Sequence, residues 1–173
     1  MREKLLFVFV GMIIGAFAGF LFAGSIPRNA STPPRAMPAS VTNALANARE
    51  HPDNFDAQVK AAQLYYEIQR FDDAIRFLLK AHQIRDDEFE VIANLAMLNV
   101  EAGHLNEAAR WFKIAMEHQP ENVAVLEGYC VVMLKQGDIR ASSNVLEQIQ
   151  KLDPENPNLP QLRAQLDKLI ARK

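Results

Sequence analysis

Apolar residues form two patterns along the chain, an unbroken run near the amino terminus and a spaced pattern after it. The run covers the twenty residues 5–24 and contains no charged side chain. A helix rises about 1.5 Å per residue, so a run of this length reaches about 30 Å, the thickness of the hydrocarbon core of a bilayer. The run predicts a transmembrane helix behind a short cytoplasmic tail at residues 1–4. A cleaved signal peptide is the alternative, although its apolar part is usually only about 7 to 15 residues long.

Glycines recur every four residues within this run, at Gly11, Gly15 and Gly19. Residues four apart lie along one stripe of a helix, where small side chains let a second helix approach closely. The stripe predicts a packing face for a partner helix in the membrane. The alternative is that the spacing reflects only the abundance of glycine in membrane helices.

Basic residues flank the run on both sides. Arg2 and Lys4 precede it directly, whereas Arg28 and Arg35 follow at a greater distance. Positive charge next to a span favours the cytoplasmic side, so we expect the tail inside the cytoplasm and the rest of the chain outside it. Residues 25–39, with prolines at Pro27, Pro33, Pro34 and Pro38, predict an extended linker between the membrane and the next domain.

Residues of one size class recur every 34 positions in the remainder of the chain. Within each interval the apolar spacing is three and four residues on either side of a midpoint, which Gly103 and Gly137 mark in the second and third intervals. This pattern predicts two amphipathic helices and a short turn per interval. The intervals are 55–88, 89–122 and 123–156, and their clearest columns are Ala62, Ala96 and Cys130; Ala74, Ala108 and Ser142; Leu78, Phe112 and Leu146; and Ala81, Ala115 and Ile149.

The pattern resembles the tetratricopeptide repeat (TPR) family. The best stretch runs from Ile92 through Gly103, Ala108 and Phe112 to Pro120, while Asn99, Ser142 and Asp86 depart from the usual residues. The resemblance implies antiparallel helix pairs stacked into a right-handed superhelix. The predicted fold is therefore all-α, with one transmembrane helix followed by three helix-pair repeats.

A stack of repeats leaves an apolar face at each end, which terminal elements must cover. Residues 40–54 contain a short helix from Ser40 to Glu50, and residues 157–173 contain a helix from Asn158 to Ala171. We expect both helices to cap the repeats.

The TPR resemblance also implies a concave groove lined by the first helix of each repeat. The inward positions of the family fall on residues that are mostly apolar: Val59, Gln63, Tyr66, Ala93, Asn94, Met97, Val100, Glu127, Val131 and Leu134. Carboxylates at the groove edge, namely Asp56, Glu67, Glu90 and Glu101, favour a protein or peptide client that has basic residues beside apolar ones. The alternative is that some of these side chains only pack between repeats.

A second candidate surface is the column Phe77, Trp111 and Val145 on the second helices, where the family often places a half-buried aromatic residue.

Charge and candidate chemistry point away from other functions. Lys and Arg number 19 against 21 Asp and Glu, so there is no net basic field for nucleic acid. The four histidines lack zinc-ligand spacing, and Cys130 stands in a column of small buried residues. We find no phosphate loop and no nucleophile motif, and we therefore predict no catalytic residue, no cofactor and no metal.

The predicted function is a membrane-anchored, extracytoplasmic scaffold that binds its client in the groove. The layout resembles the TPR accessory subunits of haem lyase in cytochrome c biogenesis, which implies a bacterial inner-membrane protein with its repeats in the periplasm. An ancillary chaperone at the secretion translocon, or an assembly factor for another envelope complex, is an alternative. A self-assembling structural protein, paired through its membrane helix and stacked through its repeat ends, is an alternative of another class.

Overall fold

In a computed structural model of the protein, residues 39–172 are described. The predicted tail, the span at 5–24 with Gly11, Gly15 and Gly19, and the linker up to residue 38 lie outside them, so these stay predictions. Within 39–172, no helix combines the length and the apolar character needed to cross a membrane.

The described residues form helices and no strand, as the all-α prediction requires. The eight helices between residues 39 and 172 are α1 (Ala39–Glu50), α2 (Phe55–Glu67), α3 (Phe71–Ile84), α4 (Phe89–Ala102), α5 (Leu105–His118), α6 (Val123–Gln136), α7 (Ile139–Leu152) and α8 (Leu159–Ile170). Residues 44–172 belong to one compact unit, the second of the chain, whose boundary lies inside α1.

Asparagine and aspartate side chains fix where several helices begin. The Asn54 side chain accepts a hydrogen bond from the Ala57 backbone N–H at 3.0 Å, and Asn122 does the same for Val125 at 3.2 Å. Asp138 accepts from Ala141 at 2.9 Å. Each bond satisfies a backbone donor that has no partner inside its helix, so these residues define the starts of α2, α6 and α7.

The turns inside the three hairpins share one backbone conformation. Gly103 and Gly137 end α4 and α6 with φ of 81° and 76°, in the left-handed region. Gln69 occupies the same place in the first hairpin, 34 residues before Gly103, with φ of 59°. A residue with a Cβ is strained there, whereas glycine is not, so the first turn is the least favourable of the three.

Packing of the second unit follows the 34-residue columns. All twelve residues of the four columns are buried, and each hairpin packs on the next through its second helix. Side-chain bonds also join successive hairpins at their turns: His104 Nε2 lies 2.7 Å from Asp72 Oδ1, and Gln136 Nε2 donates to Asn106 Oδ1 at 2.9 Å. The repeats therefore form one continuous core.

Gly128 on α6 makes room for the largest residue of that core. A Cβ at Gly128 would lie closer than 3.0 Å to ring atoms Cζ and Cε1 of Phe112, which is fully buried. The corresponding positions one repeat earlier hold Asn94 and Leu78, so the larger side chain on one helix accompanies the smaller one on the other. The backbone of α6 is thus in direct contact with an aromatic ring of α5.

Terminal helices cover both ends of the second unit. Leu159, Leu162 and Leu166 of α8 are buried, and α8 packs on α6 and α7. At the other end, the fully buried Gln58 of α2 donates from Nε2 to the Ala48 carbonyl at 2.7 Å and to the His51 carbonyl at 3.1 Å. The end of α1 is thereby joined to α2.

We predict that Gln69→Gly stabilises the protein by about 0.5–1 kcal/mol, because glycine removes the steric cost of the left-handed conformation. The reverse change at the equivalent turn, Gly137→Gln, should destabilise it by a similar amount. Urea unfolding followed by circular dichroism measures both. A loss of stability in Gln69→Gly would contradict the role given to this turn.

We predict that Gly128→Ala destabilises the protein by about 1–3 kcal/mol, because the added methyl group overlaps the Phe112 ring. Combining it with Phe112→Leu, the residue found at the same position in the first and third repeats, should recover part of this loss. Thermal unfolding of the two single variants and the double variant forms the cycle. Strictly additive losses would show that the two positions do not compete for space.

Candidate protein-binding groove

The first helices of the three hairpins, α2, α4 and α6, bear the predicted groove residues. Because the chain reverses direction at every turn, these helices run parallel to one another. Their carboxyl-terminal ends are neighbours, because the His104–Asp72 and Gln136–Asn106 contacts join the turns at these ends. The groove face is therefore a surface shared by three adjacent helices.

Exposure divides the ten predicted residues into two groups. Seven are half-exposed: Val59, Gln63, Tyr66, Ala93, Asn94, Met97 and Glu127. Val100, Val131 and Leu134 are only 5%, 4% and 9% exposed, so most of their apolar surface already packs inside the protein. These three shape the floor of the groove and offer little free area, which places the accessible apolar surface on α2 and α4.

The α6 side of the groove is held by the capping helix. Asn158, just before α8, donates from Nδ2 to both carboxylate oxygens of Glu127, at 3.2 and 3.1 Å. The Asn158 backbone N–H in turn donates to Asn156 Oδ1 at 2.9 Å, and Asn156 Nδ2 donates to Asp153 Oδ2 at 3.0 Å. Glu127 is thus engaged in fixing α8, a role that its place in the repeat pattern does not reveal.

The open surface on α2 and α4 combines apolar and amide groups. Tyr66 lies against Phe71, with ring centroids 6.0 Å apart, and Lys60 Nζ donates to Gln63 Oε1 at 3.3 Å. Met97 packs beside Gly128, with its sulfur 3.4 Å from the place that a Cβ would take. A flexible thioether between firmly packed neighbours can adjust to different client side chains.

Burial raises the pKa of the Glu101 carboxyl group, and the nearby Lys135 ammonium offsets part of that rise. Burial also raises the pKa of Tyr66, and the Glu101 carboxylate adds to it. Lys135 stands in the same column as Glu67 and Glu101, 34 residues after the latter. Extending the edge column by one further repeat would have revealed this lysine from the sequence.

Cys130 is buried, and its sulfur lies 3.9 Å from the Ser142 carbonyl oxygen. Burial raises the pKa of its thiol to about 12, with a smaller contribution from Glu127. A thiol in this state is protonated at neutral pH and is a poor nucleophile. Across residues 39–172, no group of three or more His, Cys, Asp or Glu side chains is placed to hold a metal ion.

The second candidate surface is mostly interior. Phe77 and Val145 are buried, and the Phe77 ring stacks on Tyr65 with centroids 5.5 Å apart. Trp111 is half-buried, and its ring packs edge to face against the His82 ring, with centroids 5.1 Å apart. This column therefore packs between helices and does not form an exposed contact stripe.

Stacked helical hairpins with an open face on their first helices define a repeat protein of the solenoid class. Residues 99–166 match the family model for the tetratricopeptide repeat, and this match together with the stacked hairpins supports the resemblance to the TPR family. The 34-residue interval predicts the same family.

Solved structures share this fold. MamA (MSR-1) is 21% identical, with 67% of this chain and 69% of that protein covered, and the TM-score is 0.60. A tetratricopeptide repeat protein from Parabacteroides merdae is 14% identical over 77% of this chain and 53% of its own length, with a TM-score of 0.69. The TPR domain of Arabidopsis OM64 is 15% identical over 66% of this chain and 94% of the domain, with a TM-score of 0.60.

We predict that Glu101→Gln raises the melting temperature at pH 7. A carboxyl group whose pKa is higher in the folded protein disfavours folding once ionised, and this penalty disappears as the pH falls through the folded-state pKa. The difference between variant and wild type should therefore shrink on acidification. Glu67→Gln, which neutralises an exposed carboxylate in the same column, is the matched control and should change the melting temperature less. A stabilisation by Glu101→Gln that persists unchanged at low pH would contradict this explanation.

Proposed function

We propose that this protein is a membrane-anchored, extracytoplasmic scaffold that binds a segment of a client protein on the α2 and α4 part of its groove. The observation that carries the proposal is that this surface exposes both apolar and amide side chains. The apolar ones are Met97, Ala93 and Tyr66, and the amides are Gln63 and Asn94, all half-exposed. Apolar area of this kind contributes about 25 cal/mol per Å² when a partner covers it, and the amides give direction to the contact.

Anchoring is proposed from the sequence, since residues 5–24 have the length and composition of a membrane span. The proline-rich linker predicted at residues 25–39 would then hold the repeats away from the bilayer. We further propose the bacterial inner membrane with the repeats in the periplasm, and a cytochrome c precursor as the client. Both rest on the resemblance of the layout to the haem-lyase accessory subunits. A client of the secretion translocon or of another envelope complex is the competing result of the same experiment.

The end of the repeat stack disfavours the alternative of self-assembly through repeat ends. The outer side of α8 carries the exposed residues Gln161, Arg163, Asp167 and Lys168, whereas Leu159, Leu162 and Leu166 are buried. A polar outer face is what terminal repeats use to stop further stacking. A monomeric function as a binding scaffold is consistent with this arrangement.

Photo-crosslinking in native membranes tests the groove. A crosslinking amino acid at position 97 should capture a client that mass spectrometry identifies, and Met97→Glu should lower client recovery at least about tenfold, since a buried methionine contributes about 1.5–3 kcal/mol. Leu79 on α3 is apolar and 37% exposed, and it lies outside the groove. The same two changes at position 79 are therefore the matched control. Equal yields of crosslinked adduct and equal client recovery at positions 97 and 79 would contradict the groove proposal.

A further inference from the structure

Carboxylates stand at both ends of the open surface shared by α2 and α4. Asp56 and Glu90 lie in the first turns of these helices, while Glu67 and Glu101 lie in the last turns. Since the helices are parallel, Asp56 and Glu90 form one pair at the amino-terminal end, and Glu67 and Glu101 form the other at the carboxyl-terminal end. The segments that follow the two helices are joined by the contact of His104 Nε2 with Asp72 Oδ1 at 2.7 Å, so the carboxyl-terminal ends are neighbours.

The distance between the two pairs is set by the helices. Glu67 follows Asp56 by eleven positions, and Glu101 follows Glu90 by the same number. At a rise of about 1.5 Å per residue, the pairs are about 16 Å apart along the groove. The surface between the two pairs bears four half-exposed residues, Val59 and Tyr66 on α2 and Ala93 and Met97 on α4. Negative charge at the ends thus brackets a mainly apolar middle.

Lysines on the same surface do not cancel this charge. Lys60 donates to Gln63, and Lys135 lies on the α6 side of Glu101. Four carboxylates stand against these two lysines, and Glu90 and Glu101 are half-buried, where screening by solvent is weaker. A client with positive charge at matching positions complements the surface.

The amide groups distinguish an extended client from a helical one. Gln63 on α2 and Asn94 on α4 are both half-exposed. An extended segment presents backbone N–H and C=O groups to such amides, whereas a helix has already satisfied most of its own. An extended chain advances about 3.3 Å per residue, so it covers the distance between the carboxylate pairs in about five residues.

We propose that the α2 and α4 surface binds an extended client segment in which two basic residues are separated by about four to six positions and enclose apolar residues. One basic side chain meets Asp56 and Glu90, and the other meets Glu67 and Glu101. This inference rests on the proposed scaffold function and adds the chemistry and spacing of the client segment.

Labelled peptides of one composition test the spacing. Each contains two lysines among leucine, alanine and serine, and the lysines are about two, five, eight or eleven positions apart. Fluorescence anisotropy with the full-length chain in detergent micelles gives the dissociation constants. The spacing of five should bind best, by about threefold over the spacing of two, because the shorter spacing leaves one lysine without its carboxylate pair and a partly exposed ion pair contributes a factor of about two to five. An optimum at eleven, which matches three helical turns, would overturn the extended client in favour of a helix.

Charge-neutral variants test where the lysines bind. Asp56→Asn with Glu90→Gln, and separately Glu67→Gln with Glu101→Gln, should each weaken the best peptide about threefold and leave a peptide with glutamine in place of both lysines unchanged. Glu107→Gln with Glu117→Gln, which removes two exposed carboxylates on α5, is the matched control and should have no effect.

Remaining outcomes separate this inference from the scaffold proposal. If affinity is the same at every spacing but falls with Met97→Glu, the spacing rule is wrong and the scaffold stands. If peptides bind and Met97→Glu leaves every dissociation constant unchanged, the groove itself is wrong. If no peptide binds, the spacing rule is overturned, and the crosslinking at position 97 decides the scaffold proposal independently.

Discussion

Close approach of the two helices within each hairpin is the constraint on which the rest of the structure depends. Two columns of small residues meet at this contact, and the 3.9 Å separation of Cys130 Sγ from the Ser142 carbonyl oxygen marks it in the third hairpin. Larger side chains there would push the helices apart, because interaxial distance follows the side chains at the contact. Narrow hairpins of equal size stack in register, and only stacking in register brings α2, α4 and α6 onto one face.

Most of the fold is readable from the sequence because its signals are local and repeated. Helix periodicity, the glycines at the turns and the 34-residue columns each report the same hairpin, so an error at one position is corrected by two others. Asn99 is an example: it departs from the aromatic residue Tyr65 of the first repeat, yet it is buried and its Nδ2 donates to the Leu95 carbonyl at 2.7 Å. Gln69 is harder to predict, since nothing in its type indicates a left-handed backbone.

The candidate site is less readable because it depends on contacts between distant parts of the chain. The pattern places Val131 and Leu134 on the groove face, but whether that face is open is decided by elements that pack beside it. Glu127 illustrates the same limit, since its partner Asn158 lies 31 residues away and outside the repeats. The end of the stack therefore determines how far the open surface extends, and it leaves the accessible part on the first two repeats.

Helix α6 has apolar residues on every side, and nine of its fourteen residues are buried. Four neighbours provide that cover, and one of them, α8, is complete only at Ile170, 34 residues after α6 ends at Gln136. Ribosomes add about 5–20 residues per second, so about two to seven seconds pass between the synthesis of the last residue of α6 and that of the last residue of α8. During that interval the apolar surface that α8 will cover is exposed. We therefore expect the third hairpin to be the part of the nascent chain that depends most on chaperones.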